Sequence, residues 1–133
     1  MIRQSGIKAG PLTQRITIQR PIVATDTDSG EPVVTGWEDL PVDPKVWAAI
    51  ETLRGMEYLA SAEFRAGVTT RIRVRWRDDL TSAMRVLFRL TRRDGTIARE
   101  TVYEVQSVLP QYQSMSEVHL MCADGVITEG GQP

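Results

Sequence analysis

The chain has 133 residues, 41% hydrophobic and 25% charged, with a net charge of −1, a length that at roughly 150 residues per domain expects one domain and no second. Cys122 is the sole cysteine, so an intrachain disulfide is excluded and a reducing compartment fits. The longest apolar run, Val46 to Ile50, falls far short of the ~18 residues a membrane-spanning helix needs, and Met1 to Gly10 has no apolar signal core, so no membrane is expected.

In chain order, Gln14 to Arg20 alternates Ile16 and Ile18 with Arg15, Thr17 and Gln19, the period of a half-buried strand, which Pro21 ends or edges because it cannot donate to a ladder. Asp26 to Pro32 clusters Asp, Ser, Gly and Pro as a turn before a strand at Val33 to Trp37. Val46 to Thr52 is the next strand, with both faces expected to be buried. Gly55 to Ala66 changes period: Met56, Leu59, Ala60 and Phe64 recur at helical spacing and Gly67 stands as a C-terminal stop, so one helix is expected there.

Thr69 to Arg77 is the clearest strand, with Ile72, Val74 and Trp76 facing in and Arg71, Arg73, Arg75 and Arg77 facing out. Met84 to Leu90 is expected to pair with it, adding Arg85 and Arg89 to the same face. Asp94-Gly95 is a turn signal before a strand over Thr101 to Leu109, and Glu117 to Cys122 is the last strand. Residues 1–10 and 124–133 lack periodicity and are expected to be flexible arms of the single domain. The pattern as a whole is mainly β.

No catalytic or metal-binding set is present. His119, the single histidine, has no serine or cysteine partner in a catalytic pattern, and Cys122 shares an apolar face with Val118 and Leu120, so the first reads as a surface or interface residue and the second as a small buried hydrophobe. No phosphate-cradling glycine loop, zinc spacing or two-histidine helix motif occurs, and Asp26, Asp28 and Gly30 fail as a calcium loop because Glu31 stands where glycine is needed. The chain is expected to be no enzyme and to need no cofactor.

Charge is instead strongly segregated. Asp26 to Glu63 holds nine acids (Asp26, Asp28, Glu31, Glu38, Asp39, Asp43, Glu51, Glu57 and Glu63) against Lys45 and Arg54, a net of −7. Arg65 to Arg99 holds ten arginines against Asp78, Asp79 and Asp94, a net of +7. Like charges two apart on a strand repel, so the arginine row needs an anionic neighbour: internal pairing through Glu104, an acidic patch of another copy, or nucleic-acid phosphate. A contact between copies through Asp26, Asp28, Glu31, Asp39 and Asp43 on one side and the arginines on the other is the favoured expectation.

Five segments in order, "GPLTQRITIQRP", "VWAAIETLRGMEYLASAEF", "TTRIRVRWRDDL" with "MRVLFRL", "YEVQSVL" and "EVHLMC", resemble the phage head-tail joining proteins, the small connector subunits that include head closure or stopper proteins. Leu12, Arg15, Trp47, Ala48, Gly55, Glu57 and Trp76 stand at positions that look like the family's structural words. The resemblance implies a small antiparallel β-barrel or sandwich with one α-helix and a long loop. It also implies a virion role, assembled in the host cytoplasm: a homo-oligomeric ring, a dodecamer or hexamer, with a portal or adaptor protein above, a tail terminator or tail protein below, and double-stranded DNA passing through. A tail terminator, or an independent nucleic-acid-binding β-barrel using the arginine strand, is the alternative.

Overall fold

The computed structural model describes residues 11–53 and 68–129. The helix expected over Gly55 to Ala66, with Gly55 and Glu57, and the amino-terminal arm lie outside those residues. Seven strands follow in chain order: β1 (Gln14–Thr25), β2 (Pro32–Asp39), β3 (Lys45–Thr52), β4 (Thr70–Arg75), β5 (Arg85–Thr91), β6 (Ile97–Pro110) and β7 (Glu117–Glu129).

All neighbours are antiparallel, in the order β2-β1-β3-β4-β7-β6-β5, and β5 pairs back onto β1. Six strands therefore close into a barrel, and β2 is an outer strand attached to β1 alone. Closure removes the free edges that an open sheet of this size would expose. The residues the period-two pattern turns inward fill the interior: Ile16 and Ile18 of β1, Ala48 of β3, Ile72 and Val74 of β4, Val86 of β5, Val105 of β6, and Val118, Leu120 and Cys122 of β7. A six-stranded barrel is narrow enough to be filled by its own side chains. Register shifts in β6 at Thr101/Tyr103 and Val105/Ser107 supply the extra residues that let this long strand bend around the barrel.

Cys122 is buried, as expected of a small hydrophobe, and its thiol donates to the Leu120 carbonyl. Met121, on the opposite face of β7, is also buried, in a second cluster with Val68, Leu53 and Leu109.

Four expectations are corrected by the pairing. Strand β1 does not stop at Arg20 but runs on through Pro21 to Thr25, paired with β2 from Gln19 onward. Ile18 directs both its N–H and its C=O toward the β2–β3 side, so by alternation Pro21 turns its missing donor to the other side, past the last β5 pair at Gln19↔Arg85. The proline thus sits where the strand has become an edge. Second, β5 does not pair with β4: β4 lies between β3 and β7, and β5 between β1 and β6. Arg85 and Arg89 are therefore not beside the arginine row.

Third, β3 does not bury both faces, because Trp47 is 51% exposed while Ala48 is sealed in the core. Fourth, the segment expected as an arm from Asp124 is strand as far as Glu129, paired with β6 through Arg99↔Glu129 and Thr101↔Ile127.

The acidic connection Ala24 to Asp43 is mostly a two-stranded ribbon. Beyond the barrel, β1 and β2 pair only with each other, turning at Asp26–Glu31, where Gly30 takes a φ of 75° that a β-carbon would strain. Asp26 caps the turn, accepting from the Ser29 hydroxyl at 2.9 Å, from the Asp28 N–H and, through its carbonyl, from the Gly30 N–H.

Candidate assembly surfaces

The arginine row lies on the outer face of β4. The register sets Arg71 opposite Glu51 of β3 and Met121 of β7, Arg73 opposite Ala49 and His119, and Arg75 opposite Glu117. Two carboxylates thread between the guanidinium groups. Glu51 accepts from Arg71 Nε at 2.8 Å and from Arg73 Nε at 3.0 Å, and Glu117 accepts from Arg73 Nη1 at 2.7 Å. Arg73 is only 2% exposed, so its charge depends on this pairing. Burial pushes the Glu51 carboxyl up, but the hydrogen bonds and charges of Arg71 and Arg73 outweigh that and hold it below its usual range.

His119 continues the network, its Nε2 3.3 Å from Glu117 Oε1. Burial pulls its pKa below the ordinary value; Glu117 opposes that shift and the nearby arginines add to it. The half-buried imidazole thus sits between an acid and two guanidinium groups. Among the described residues, no cluster of three or more His, Cys, Asp or Glu is arranged to hold a metal ion.

Arg77, beyond the end of β4, is clamped differently. It pairs with both carboxylate oxygens of Asp79, at 2.6 and 2.7 Å, and donates to the carbonyls of Asp43 and Val42 at 2.8 and 2.9 Å. It thereby fixes the β2–β3 connection, in which Asp43 takes a left-handed φ of 47°. The hydrogen bond to Asp79 raises the Arg77 pKa above its usual value against a smaller opposing effect of burial.

The expectation that Glu104 is the acid near the row fails. Glu104 is on β6 opposite Arg85, while Glu51 and Glu117 do the neutralising. Arg85 donates to Gln19 Oε1 at 2.9 Å and lies over the Trp37 ring at 4.6 Å. Arg89 pairs with Glu100.

Arg75 remains. It is exposed and has no ion pair among the described residues. It lines a cleft of about 580 Å³ with Arg15, Lys45, Trp47, Trp76 and Val42, whose wall also carries Arg77 and the acids Asp43, Asp78 and Asp79. Arg15 stands opposite Trp47 in the β1–β3 register, with its guanidinium 5.1 Å from the ring centroid. Trp47 and Arg75 are the residues just beyond the Ala48↔Val74 pair, so an exposed indole lies between two cations. Trp76 packs against the core and meets Tyr112 edge-on at 5.5 Å. Three of the singled-out positions, Arg15, Trp47 and Trp76, thus meet in one cleft; Ala48 is core, and Leu12 lies half-buried just before β1.

The acids divide in the same way. Asp39 accepts from Gln19 Nε2 at 2.9 Å and lies 3.8 Å from Lys45 Nζ, and Glu38 pairs with Arg20. Asp26, Asp28 and Glu31 form the tip of the ribbon, with no basic residue between them in the chain. Behind the tip the ribbon exposes Ile22, Val23, Val33 and Val34, the last 56% exposed. Residue composition alone does not reveal this feature, because Pro21 and the turn residues from Asp26 to Pro32 interrupt the alternation.

Comparison with known proteins agrees with this architecture. The solution structure of protein SF1141 from Shigella flexneri 2a is similar, with a TM-score of 0.60 and 25% identity over 90% of this chain and 98% of that one. No curated protein matches the chain. The family model described as phage head completion protein matches residues 7–125, nearly the whole chain, and the chain belongs to that family of structural virion proteins.

Proposed function

We propose that this head completion protein acts as a ring of identical subunits, a dodecamer or hexamer, beneath the portal vertex. There it closes the DNA-filled head and offers the docking surface for the tail. The ring receives a portal or adaptor protein above and a tail protein below, and the genome passes through its centre. The observation that carries this reading is the ribbon: four exposed aliphatic side chains on a two-stranded extension outside a closed, well-filled barrel mark a surface meant for other protein. Subunit contacts use the unpaired cations around Trp47 and the acids of the ribbon tip, whereas Arg71, Arg73 and Arg77 are occupied within their own chain.

An independent nucleic-acid-binding barrel is supported less well. Phosphate affinity grows with the number of free cations, and Glu51, Glu117 and Asp79 already take three of the four arginines in the row. Electron microscopy of particles made without this chain tests the proposal. It predicts heads that fail to retain DNA and carry no tails, both restored by adding the purified protein. Normal tailed particles in its absence, or strong salt-dependent DNA binding by the free chain, would favour the other reading.

A further inference from the structure

Strand β1 carries two exposed, unpartnered surfaces at its opposite ends. At its start lies the Trp47 cleft, with Arg15 and Arg75 free of anionic partners among the described residues and Val42 63% exposed. At its far end lies the ribbon, Val23 opposite Val34 and Ala24 opposite Val33, capped by Asp26, Asp28 and Glu31. The side chains of Asp28 and Glu31 have no partner among the described residues, where only their backbone groups are engaged. The two surfaces complement each other: the cleft is aromatic and sets Arg15, Lys45, Arg75 and Arg77 against Asp43, Asp78 and Asp79, with Lys45 and Arg77 paired to Asp39 and Asp79, so that Arg15 and Arg75 are its available cations, whereas the ribbon is aliphatic and acidic.

A chain cannot join its own two surfaces. Arg15 and Thr25 are ten residues apart on one continuous strand, a separation of roughly 30 Å at about 3.3 Å per residue, and β3 and β5 anchor the first half of β1 in the barrel. We infer that the ribbon tip of one copy docks in the Trp47 cleft of the next. One face of the ribbon, Val23 with Val34, covers the exposed indole, and Asp28 and Glu31 meet Arg15 and Arg75. Because the two surfaces differ, the contact is head-to-tail, and repetition closes a ring when the rotation between copies allows it. The inference rests on the ring proposed above and names the contact that builds it. The occupant is a second copy of this chain because both complementary halves are present in one sequence.

Charge reversal tests the contact in particles. Asp28→Lys with Glu31→Lys makes the tip basic, and Arg15→Glu with Arg75→Glu makes the cleft acidic. All four positions are exposed, and thermal melting of each purified variant checks that it remains folded. Each double variant, as the sole copy in an infected cell, is expected to lower the yield of tailed particles by roughly tenfold or more. The quadruple variant restores it at least in part, and so does an equal mixture of the two double variants, since each then offers the half the other needs. Unchanged yield in either double variant, or no recovery in the quadruple variant and the mixture, overturns the contact. Counting copies per particle by gel densitometry separates the two levels: one copy per particle rejects the ring itself, whereas many copies without recovery reject only this contact.

Discussion

Arg73 of β4 and Glu117 of β7 meet at 2.7 Å on the outside of the barrel, with the arginine side chain only 3% exposed. Removing one member of a buried pair strands the other charge, at a cost of about 3–5 kcal/mol. Arg73→Ala is therefore expected to lower unfolding free energy by about that amount in urea titration. Arg20→Ala, which breaks a pair whose members are both about half exposed, should cost about 1 kcal/mol or less.

The same network predicts acid sensitivity in two stages. His119 has a folded-state pKa below its ordinary 6.5, so the unfolded chain takes up the proton first. Its contribution is complete above pH 6.5 and declines as pH falls below that value. Glu51 is held below its ordinary 4.5; its contribution is complete above pH 4.5 and is lost as pH falls through its depressed folded value. Melting temperature followed from pH 8 to 2 should fall in both windows. His119→Gln should flatten the upper stage and Glu51→Gln the lower; a profile unchanged by both variants would disconnect the network from stability.

Ser107 sits at the second register shift of β6, and its buried hydroxyl finds no hydrogen-bond partner among the described residues. An unsatisfied buried hydroxyl is a net cost. Ser107→Ala is expected to be neutral or to stabilise by about 1 kcal/mol, read as an unchanged or higher denaturation midpoint.

The ribbon separates folding from assembly. Val33 and Val34 are both exposed on an outer strand that does not belong to the closed barrel, so changing both to serine should alter stability by about 0.5 kcal/mol or less per site. Joining to the particle should nevertheless weaken. Loss of the fold in this variant would show that the ribbon supports the barrel instead of serving partners.

Period-two alternation made the strands and their inward residues legible, from Ile16 and Ile18 through Ile72 and Val74 to Val118 and Leu120. Alternation reports which face a residue takes but carries no record of which strand lies beside it. Hence β4 and β5, consecutive in the chain, were expected to pair, whereas the barrel separates them. The partners of the arginine row were missed for the same reason: Glu51 and Glu117 are 22 and 44 residues from Arg73 and become neighbours only through register. The carboxy-terminal part of β7 was missed because Asp124 and Gly125 interrupt the apolar pattern, and pairing with β6 sustains the strand there instead. The resemblance of Arg15, Trp47 and Trp76 to family positions did mark the cleft, although the sequence could not show that the three converge.

A reconstruction of the head-tail neck by electron cryomicroscopy tests the central claim most directly. The account predicts a ring of these barrels at the portal vertex, each ribbon seated against Trp47 of the adjacent copy. A neck from which this chain is absent, or in which it sits as a single copy away from the DNA channel, would contradict it.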